Sequence, residues 1–374
     1  MGAGPAGDAA AAGLRDAGFD GSITLVGAEP ELPYERPHLS KGFLAGTVAR
    51  DELPLRPAQQ YRDLDIEIIL GDPVVDLGVE DRRVRLGSGK TIGWDRLCIA
   101  TGSDARRLDG FPGAMYLREL SDATELKSRI DRGQALEIVG AGFIGCEVAA
   151  VARSRGCDVR VHEALAQPLA RVLGEQLGAY IARVHREHGV DLRLGAGPPP
   201  SADVVAVGSV PRTDLAARSG LEVHGGIVVD GLGRTSAEGV FAAGDVTRFT
   251  HPLFATRIRV EHFQTAQRQG FAVGRAMAGA AEPYREVPWF WSDQYDLNLQ
   301  YAGAGLPWDQ TVMRGELGRP PFAVFYLSAG RLVAAVGIND HHNVARARRL
   351  MEAGKSVTPA QLEDPAFDLR RGLA

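Results

Sequence analysis

Two glycine patterns, Gly2-Ala3-Gly4-Pro5-Ala6-Gly7 and Gly140-Ala141-Gly142-Phe143-Ile144-Gly145, constrain this chain more than any other feature. They are its only internal repeat, 138 residues apart. In each, the first glycine permits a tight turn and the second lets backbone approach a pyrophosphate. The third lets a helix pack closely on a strand. A helix that begins at such a loop aims its unpaired N–H groups and positive dipole end at an anion. The second loop has the full context: a strand over 135–139, a helix over 143–155, a strand over 158–161, and Glu163 at the strand end. That carboxylate is placed to accept bonds from both ribose hydroxyls of a dinucleotide. A ribose 2′-phosphate would bring roughly −1.5 to −2 further charges against it, as phosphomonoesters do. NADH is therefore expected over NADPH, with Arg160 and Arg171 as the residues able to soften that preference.

The first loop is read from its companions. A helix over 6–17, a strand over 22–26 and the acid Glu29 follow it, but only Met1 precedes it. Ala100-Thr101-Gly102 closes a buried strand, and Ala242-Ala243-Gly244-Asp245 closes a late one. An aspartate at such a strand end can bond a ribityl hydroxyl. Two fingerprints, a Thr-Gly turn and a late Gly-Asp together point to a flavin dinucleotide beside a nicotinamide dinucleotide. The strand expected before Gly2 would be central in its sheet. Burying an apolar side chain is worth roughly 1.5–3 kcal/mol, so a whole strand rivals the ~5–15 kcal/mol stability of a domain. The expectation is a misassigned start or a truncation, with weakened FAD binding as the alternative.

At 374 residues, the chain is too long for a single ordinary core. Its 46 glycines exceed the usual ~7% and suit many tight strand-to-helix turns. Alternation of strands and helices argues for parallel, doubly wound sheets. From Val287 onward aromatics concentrate, strands over 322–327 and 331–338 meet at Gly330, and a helix over 343–353 follows. The fold class expected is α/β: two Rossmann-like dinucleotide-binding domains, one for FAD and one for NAD, plus a C-terminal α+β domain. The division reads 1–114 with 219–285 for FAD, 115–218 for NAD, and 286–374 for the last domain. The net charge of −5 and the absence of a basic block argue against nucleic acid. No 18-residue apolar run and no signal-like N-terminus occur, so neither a membrane span nor secretion is expected. Cys98, Cys146 and Cys157 form no C-x-x-C pair, which suits a reducing cytoplasm and leaves no dithiol relay. No metal site is expected, since His251, His262, His341 and His342 lack ligand spacing.

The chain resembles the two-dinucleotide flavoproteins, and within them the ferredoxin, rubredoxin and putidaredoxin reductases of oxygenase electron-transfer chains. The resemblance runs essentially the whole length. It rests on Pro33-Tyr-Glu-Arg-Pro-His-Leu-Ser-Lys41, Tyr116-Leu-Arg118, Gly142-Phe-Ile-Gly-Cys-Glu147, Ala243-Gly-Asp245 and Pro288-Trp-Phe-Trp-Ser-Asp-Gln-Tyr295. It implies that Lys41 lies beside the flavin ring and pairs with Glu147, the two catalytic candidates. It implies FAD contacts at Gly2, Gly4, Ala6, Gly7, Glu29 and Arg36, and at Ala100, Thr101, Gly102, Arg118, Gly244 and Asp245. It implies that Val74 and Phe263 contact the adenine and flavin ends, and that Trp291 stands near the flavin edge where an iron–sulfur partner docks. The NAD set is Gly140, Gly142, Phe143, Ile144, Gly145, Glu163 and Gly208. Competing readings are a surface lysine for Lys41, a solvated charge for Glu147 and a core residue for Trp291.

The chemistry implied is hydride transfer from NADH to FAD, then single-electron release to a [2Fe–2S] ferredoxin-type acceptor of an oxygenase or cytochrome P450. Position and electrostatics are all the protein must supply. Two alternatives remain: an NADH oxidase or quinone/dye reductase, and a degenerate member that binds nucleotide without turnover. Members of the resembled family insert a β-meander where this chain has Gly195-Ala-Gly-Pro-Pro-Pro-Ser201, so a trimmed nicotinamide domain that still binds NADH is expected. The arginines at 257, 259 and 268 are candidates for the positive side of the dock. The oligomer expected is a monomer or homodimer.

Overall fold

The computed structural model describes residues 1–373, which pack as two compact units. Residues 1–35, 53–104 and 210–288 form the first; residues 36–52, 105–209 and those from 289 on form the second. Among the described residues no helix is long and apolar enough to cross a membrane.

In the first unit the helix Pro5–Asp16 leaves the glycine loop with proline at its start, where a missing N–H costs nothing. Strand Ile23–Val26 pairs in parallel with Ile66–Ile69, and Leu97–Ile99 pairs in parallel with Val240–Ala242. Met1 and Gly2 lie between these two pairs. Gly2 N–H donates to Val26 O (2.7 Å), Ala100 N–H donates to Met1 O (2.8 Å), and the α-amino group donates to Cys98 O (2.7 Å). Burial pulls that amine below its ordinary pKa. An antiparallel meander, Val74–Gly78, Arg83–Leu86 and Thr91–Gly93, forms a separate sheet. Helix Phe263–Met277 crosses the loop helix at backbone distance. A Cβ on Gly13 would overlap Phe271 O, one on Gly270 would overlap Ala6 O, and one on Gly274 would overlap Ala10 O. Only hydrogen fits at these crossings.

The second unit holds a four-stranded parallel sheet ordered Asp191–Leu194, Val159–Glu163, Leu136–Val139, Val204–Val205. To pass from one edge to the other, the chain spans three strand spacings, ~14 Å in all. Residues 195–203 make that crossing as a proline-rich connection that contains no strand. Helix Glu175–Glu187 begins at Glu175 because Gly174 (φ 80°, ψ 168°) breaks it from the short turn Ala170–Leu173. A side chain on Gly174 would lie 3.0 Å from the Trp308 ring.

The C-terminal part forms a five-stranded antiparallel sheet ordered Trp289–Gln294, Leu297–Gly303, Arg331–Ile338, Arg319–Ser328, Gln310–Glu316. The hairpin read around Gly330 is present, with Ser328 opposite Arg331. Helices His341–Glu352 and Pro359–Glu363 bury Ala347, Leu350 and Leu362 against Phe325, Leu327 and Ala335. Asp340 caps the first through Asn343 N–H, and Thr358 with Gln361 forms a capping box on the second.

Two predictions follow from this packing. Gly274→Val should cost ~1–3 kcal/mol by overpacking, read as a lower melting temperature with bound flavin lost in parallel. Burial pulls both His185 and His262 down to about 4 from an ordinary 6.5. A histidine depressed in the folded state is stabilising above its unfolded pKa, and that stability is lost as pH falls from 6.5 towards 4. Unfolding at pH 5 should therefore add at least about one and a half protons to these two rings, measured from the pH dependence of the unfolding free energy.

Candidate cofactor and redox site

The two loops solve one steric problem in the same way. Gly2 (φ 97°) and Gly140 (φ 99°) occupy the left-handed region that side chains avoid. A Cβ on Gly2 would overlap Ala100 O, and one on Gly140 would overlap Ala206 O. On Gly7 and Gly145 it would overlap the carbonyls of Gly2 and Gly140. The middle glycines are the opposite case. Gly4 has nothing within 4 Å, and the nearest atom to a Cβ on Gly142 is 3.9 Å away. First and third glycines close the loop, and the second leaves room for a pyrophosphate. Neither helix is capped by a side chain at Gly4 or Gly142, so its first-turn N–H groups suit an anion.

Around the first loop the remaining flavin candidates of that unit gather. Thr101 Oγ1 donates to Arg212 O (3.0 Å), and Gly102 turns with φ 69°. Asp245 accepts from Ser103 Oγ (3.1 Å). Gly244 (φ 82°) donates its N–H to Gln269 Oε1 (2.8 Å), and a Cβ on it would lie 2.8 Å from that of Ala6. Glu29 accepts from Tyr34 OH (2.6 Å). Phe263 opens its helix, and two residues on Thr265 Oγ1 is buried without a hydrogen-bond partner, a donor left over for a ligand. Val74 opens the meander, two residues after Asp72, whose N–H donates to Gly27 O (3.1 Å). An orphaned hydroxyl and an open glycine cradle within one unit fit FAD.

In the second unit Glu163 is clamped at the loop. Its Oε2 accepts from Ala141 N–H (2.8 Å) and its Oε1 from Leu165 N–H (2.9 Å). This fixed carboxylate beside the open Gly142 cradle fits NAD. Gly208 (φ 107°) accepts at its carbonyl from Arg106 N–H (2.9 Å). Phe143 meets Phe290 edge to face at 4.7 Å, while Ile144 is 43% exposed on the first helical turn. Arg36 Nη1 donates to Arg118 O (2.8 Å), and Arg118 N–H donates to Asp122, the acid of a capping box with Glu119.

Glu147, two residues past the third glycine, is 3% exposed. Lys41 Nζ lies 2.8 Å from its Oε1, Ser292 Oγ donates to the same oxygen (2.6 Å), and Ser40 Oγ donates to Oε2. Lys41 Nζ is also 5.9 Å from the centre of the Trp291 ring. The pairing of Lys41 with Glu147 is thus present. Ser40 and Ser292 are its unforeseen members. Both sit inside motifs that carry the family resemblance, but each meets Glu147 from more than 100 residues away. No local pattern signals that. Removing one member of a buried ion pair typically costs ~3–5 kcal/mol, so the remaining members hold each other in place.

The three cysteines are free. Burial raises all three thiols, Cys98 to about 11. Cys146 and Cys157 are buried and Cys98 is partly buried, and all three are neutral thiols without thiolate character.

Comparison with known proteins agrees with this arrangement. The sequence pattern of the pyridine nucleotide-disulphide oxidoreductase family matches residues 1–199 and 201–270, and that of the reductase C-terminal domain matches 289–373. The chain is 39% identical to rhodocoxin reductase of Rhodococcus erythropolis, covering 100% of this chain and 93% of that protein. It is also 39% identical to the ferredoxin–NAD(+) reductase component of the anthranilate 1,2-dioxygenase system of Burkholderia cepacia, covering 100% and 98%. The crystal structure of a covalent putidaredoxin reductase–putidaredoxin complex superposes with a TM-score of 0.94 at 31% identity, covering 100% of this chain and 96% of that one. The two glycine cradles, the clamped Glu163 and the reductase-type C-terminal sheet thus sit in a chain that belongs to the pyridine nucleotide-disulphide oxidoreductase family.

Proposed function

We propose that this chain is an FAD-dependent NADH reductase that feeds single electrons to a [2Fe–2S] ferredoxin-type partner of an oxygenase or cytochrome P450. The observation that carries the reading is full-length similarity to reductases named for that work, in a chain with two open glycine cradles. FAD would be held by Gly2, Gly4, Gly7, Thr101 and Asp245, and NAD by Gly140, Gly142, Gly145 and Glu163. When bound, the flavin takes an electron pair from NADH and passes it on one electron at a time. The chain's own residues need only bind, orient and balance charge. Lys41, held by Glu147, brings a positive charge that would stabilise a reduced, anionic ring. Division by ligand gives 1–114 with 219–285 to FAD, 115–218 to NAD and 286–374 to the C-terminal domain. The free, unpaired cysteines suit the reducing cytoplasm, and they argue for direct electron transfer over a dithiol relay.

A small-molecule acceptor is the second reading, and salt separates the two. Charge-steered docking of a ferredoxin weakens as ions screen it, whereas reduction of a neutral quinone does not. Anaerobic NADH should bleach the visible flavin band of the FAD-loaded protein. NADH should outperform NADPH by about tenfold or more in kcat/KM, which is ~1.4 kcal/mol of discrimination, and Glu163→Ala should narrow that ratio. Lys41→Met should slow bleaching by about ten- to a hundredfold, the ~1.5–3 kcal/mol worth of one charge-assisted hydrogen bond. A protein that binds FAD yet stays oxidised with NADH overturns the reading.

A further inference from the structure

Glu147 is the end of a longer chain of buried polar groups. Ser292, Gln294 and His185 are each 2% exposed or less. Ser292 has one hydroxyl proton and donates it to Glu147 Oε1 (2.6 Å). Its oxygen must then accept, and it does so from Gln294 Nε2 (3.1 Å). The opposite amide orientation would set two acceptors against each other, so Gln294 has one orientation. Its carbonyl oxygen lies 3.0 Å from His185 Nε2, which must carry a hydrogen. A neutral imidazole then has Nδ1 free to accept, and Tyr295 OH stands 3.1 Å from it. Every donor points the same way, from Tyr295 towards Glu147.

The far end is held under strain. Tyr295 has φ 56°, in the left-handed region that a bulky residue occupies only when its surroundings compel it. Two contacts do so: the hydroxyl bond to His185, and a stack on the His188 ring with centres 3.6 Å apart and planes 11° from parallel. A hairpin turn that would otherwise take glycine or asparagine carries a tyrosine whose ring and hydroxyl are both engaged.

We propose that His185 and Tyr295 are positioning residues for the Lys41–Glu147 pair, acting through Gln294 and Ser292. The chain leaves the Ser292 proton a single acceptor, and each aligned bond polarises the next. Glu147 Oε1 is thereby fixed where it meets Lys41 Nζ. Burial keeps His185 neutral at working pH, as the chain requires. The catalytic value of this device rests on the reading of Lys41 and Glu147 as the flavin-facing pair.

The test uses the FAD-loaded full chain. Nitrogen-15 spectra of the histidine rings should show His185 as the neutral Nε2–H tautomer throughout pH 5.5–8; the Nδ1–H tautomer or a protonated ring there overturns the proposal. The chain has four lysines, at 41, 90, 127 and 355, so the Lys41 Nζ resonance can be assigned. That resonance should be protected from exchange in the wild type and in His185→Gln, whose amide nitrogen can still donate to Gln294. It should lose protection in His185→Leu. In rapid mixing with NADH, His185→Leu should slow flavin bleaching about tenfold, the ordinary worth of one lost hydrogen bond. NADH affinity should stay within twofold, and His185→Gln should recover most of the rate. Equal behaviour of the two variants, or a loss confined to NADH affinity or melting temperature, overturns the proposal. A wild type that NADH does not bleach refutes the proposed function instead, and the tautomer and Lys41 signals still decide the positioning.

Discussion

A buried carboxylate must be satisfied by whatever surrounds it, and the Glu147 cluster draws on three separate parts of the sequence. Ser40 and Lys41 come from the segment after the first cofactor motifs, Glu147 from the helix of the second glycine loop, and Ser292 from the first strand of the C-terminal sheet. Each group is costly to leave unpaired away from water. The constraint works in every direction: the helix carrying Glu147 starts at the open Gly142 cradle, and the strand carrying Ser292 also carries Trp291. One anion therefore registers the NAD loop, the candidate redox lysine and the aromatic strand against one another within the second unit.

The glycine loops impose the other hard constraint. In both, backbone atoms occupy the places where the first and third side chains would project, and only the middle position faces open space. The surroundings of the two loops differ. A four-stranded parallel sheet carries the second. At the first, Met1 and Gly2 link two strand pairs through three hydrogen bonds. The same economy recurs where the helices Pro5–Asp16 and Phe263–Met277 cross at Gly13, Gly270 and Gly274, where a single methyl would strike a carbonyl.

Much of this was legible in the sequence because its physics is local. A glycine loop between a strand and a helix, an acid at the next strand end, a Thr-Gly turn and a hairpin at Gly330 each declare themselves within twenty residues or so. The strands flanking that hairpin were less visible. Gln310–Glu316 alternates weakly, and aromatics in Trp289–Gln294 read equally well as core. The start of helix Glu175–Glu187 is not legible from periodicity, because a single glycine with φ 80° decides where it begins. Sequence periodicity does not report the ring of Trp308 that packs there.

The sequence by itself determined that the chain carries two dinucleotide-type glycine loops, that an acid, Glu163, closes the strand after the second, and that its cysteines form no C-x-x-C pair. Those conclusions depend on residue type and short spacing, which folding cannot alter. Only the tertiary structure decided which groups hold Glu147, which tautomer His185 must adopt, and why Tyr295 tolerates a left-handed backbone. These depend on hydrogen-bond partners more than 100 residues apart, whose pairing is set by how sheets and helices bring their buried faces together.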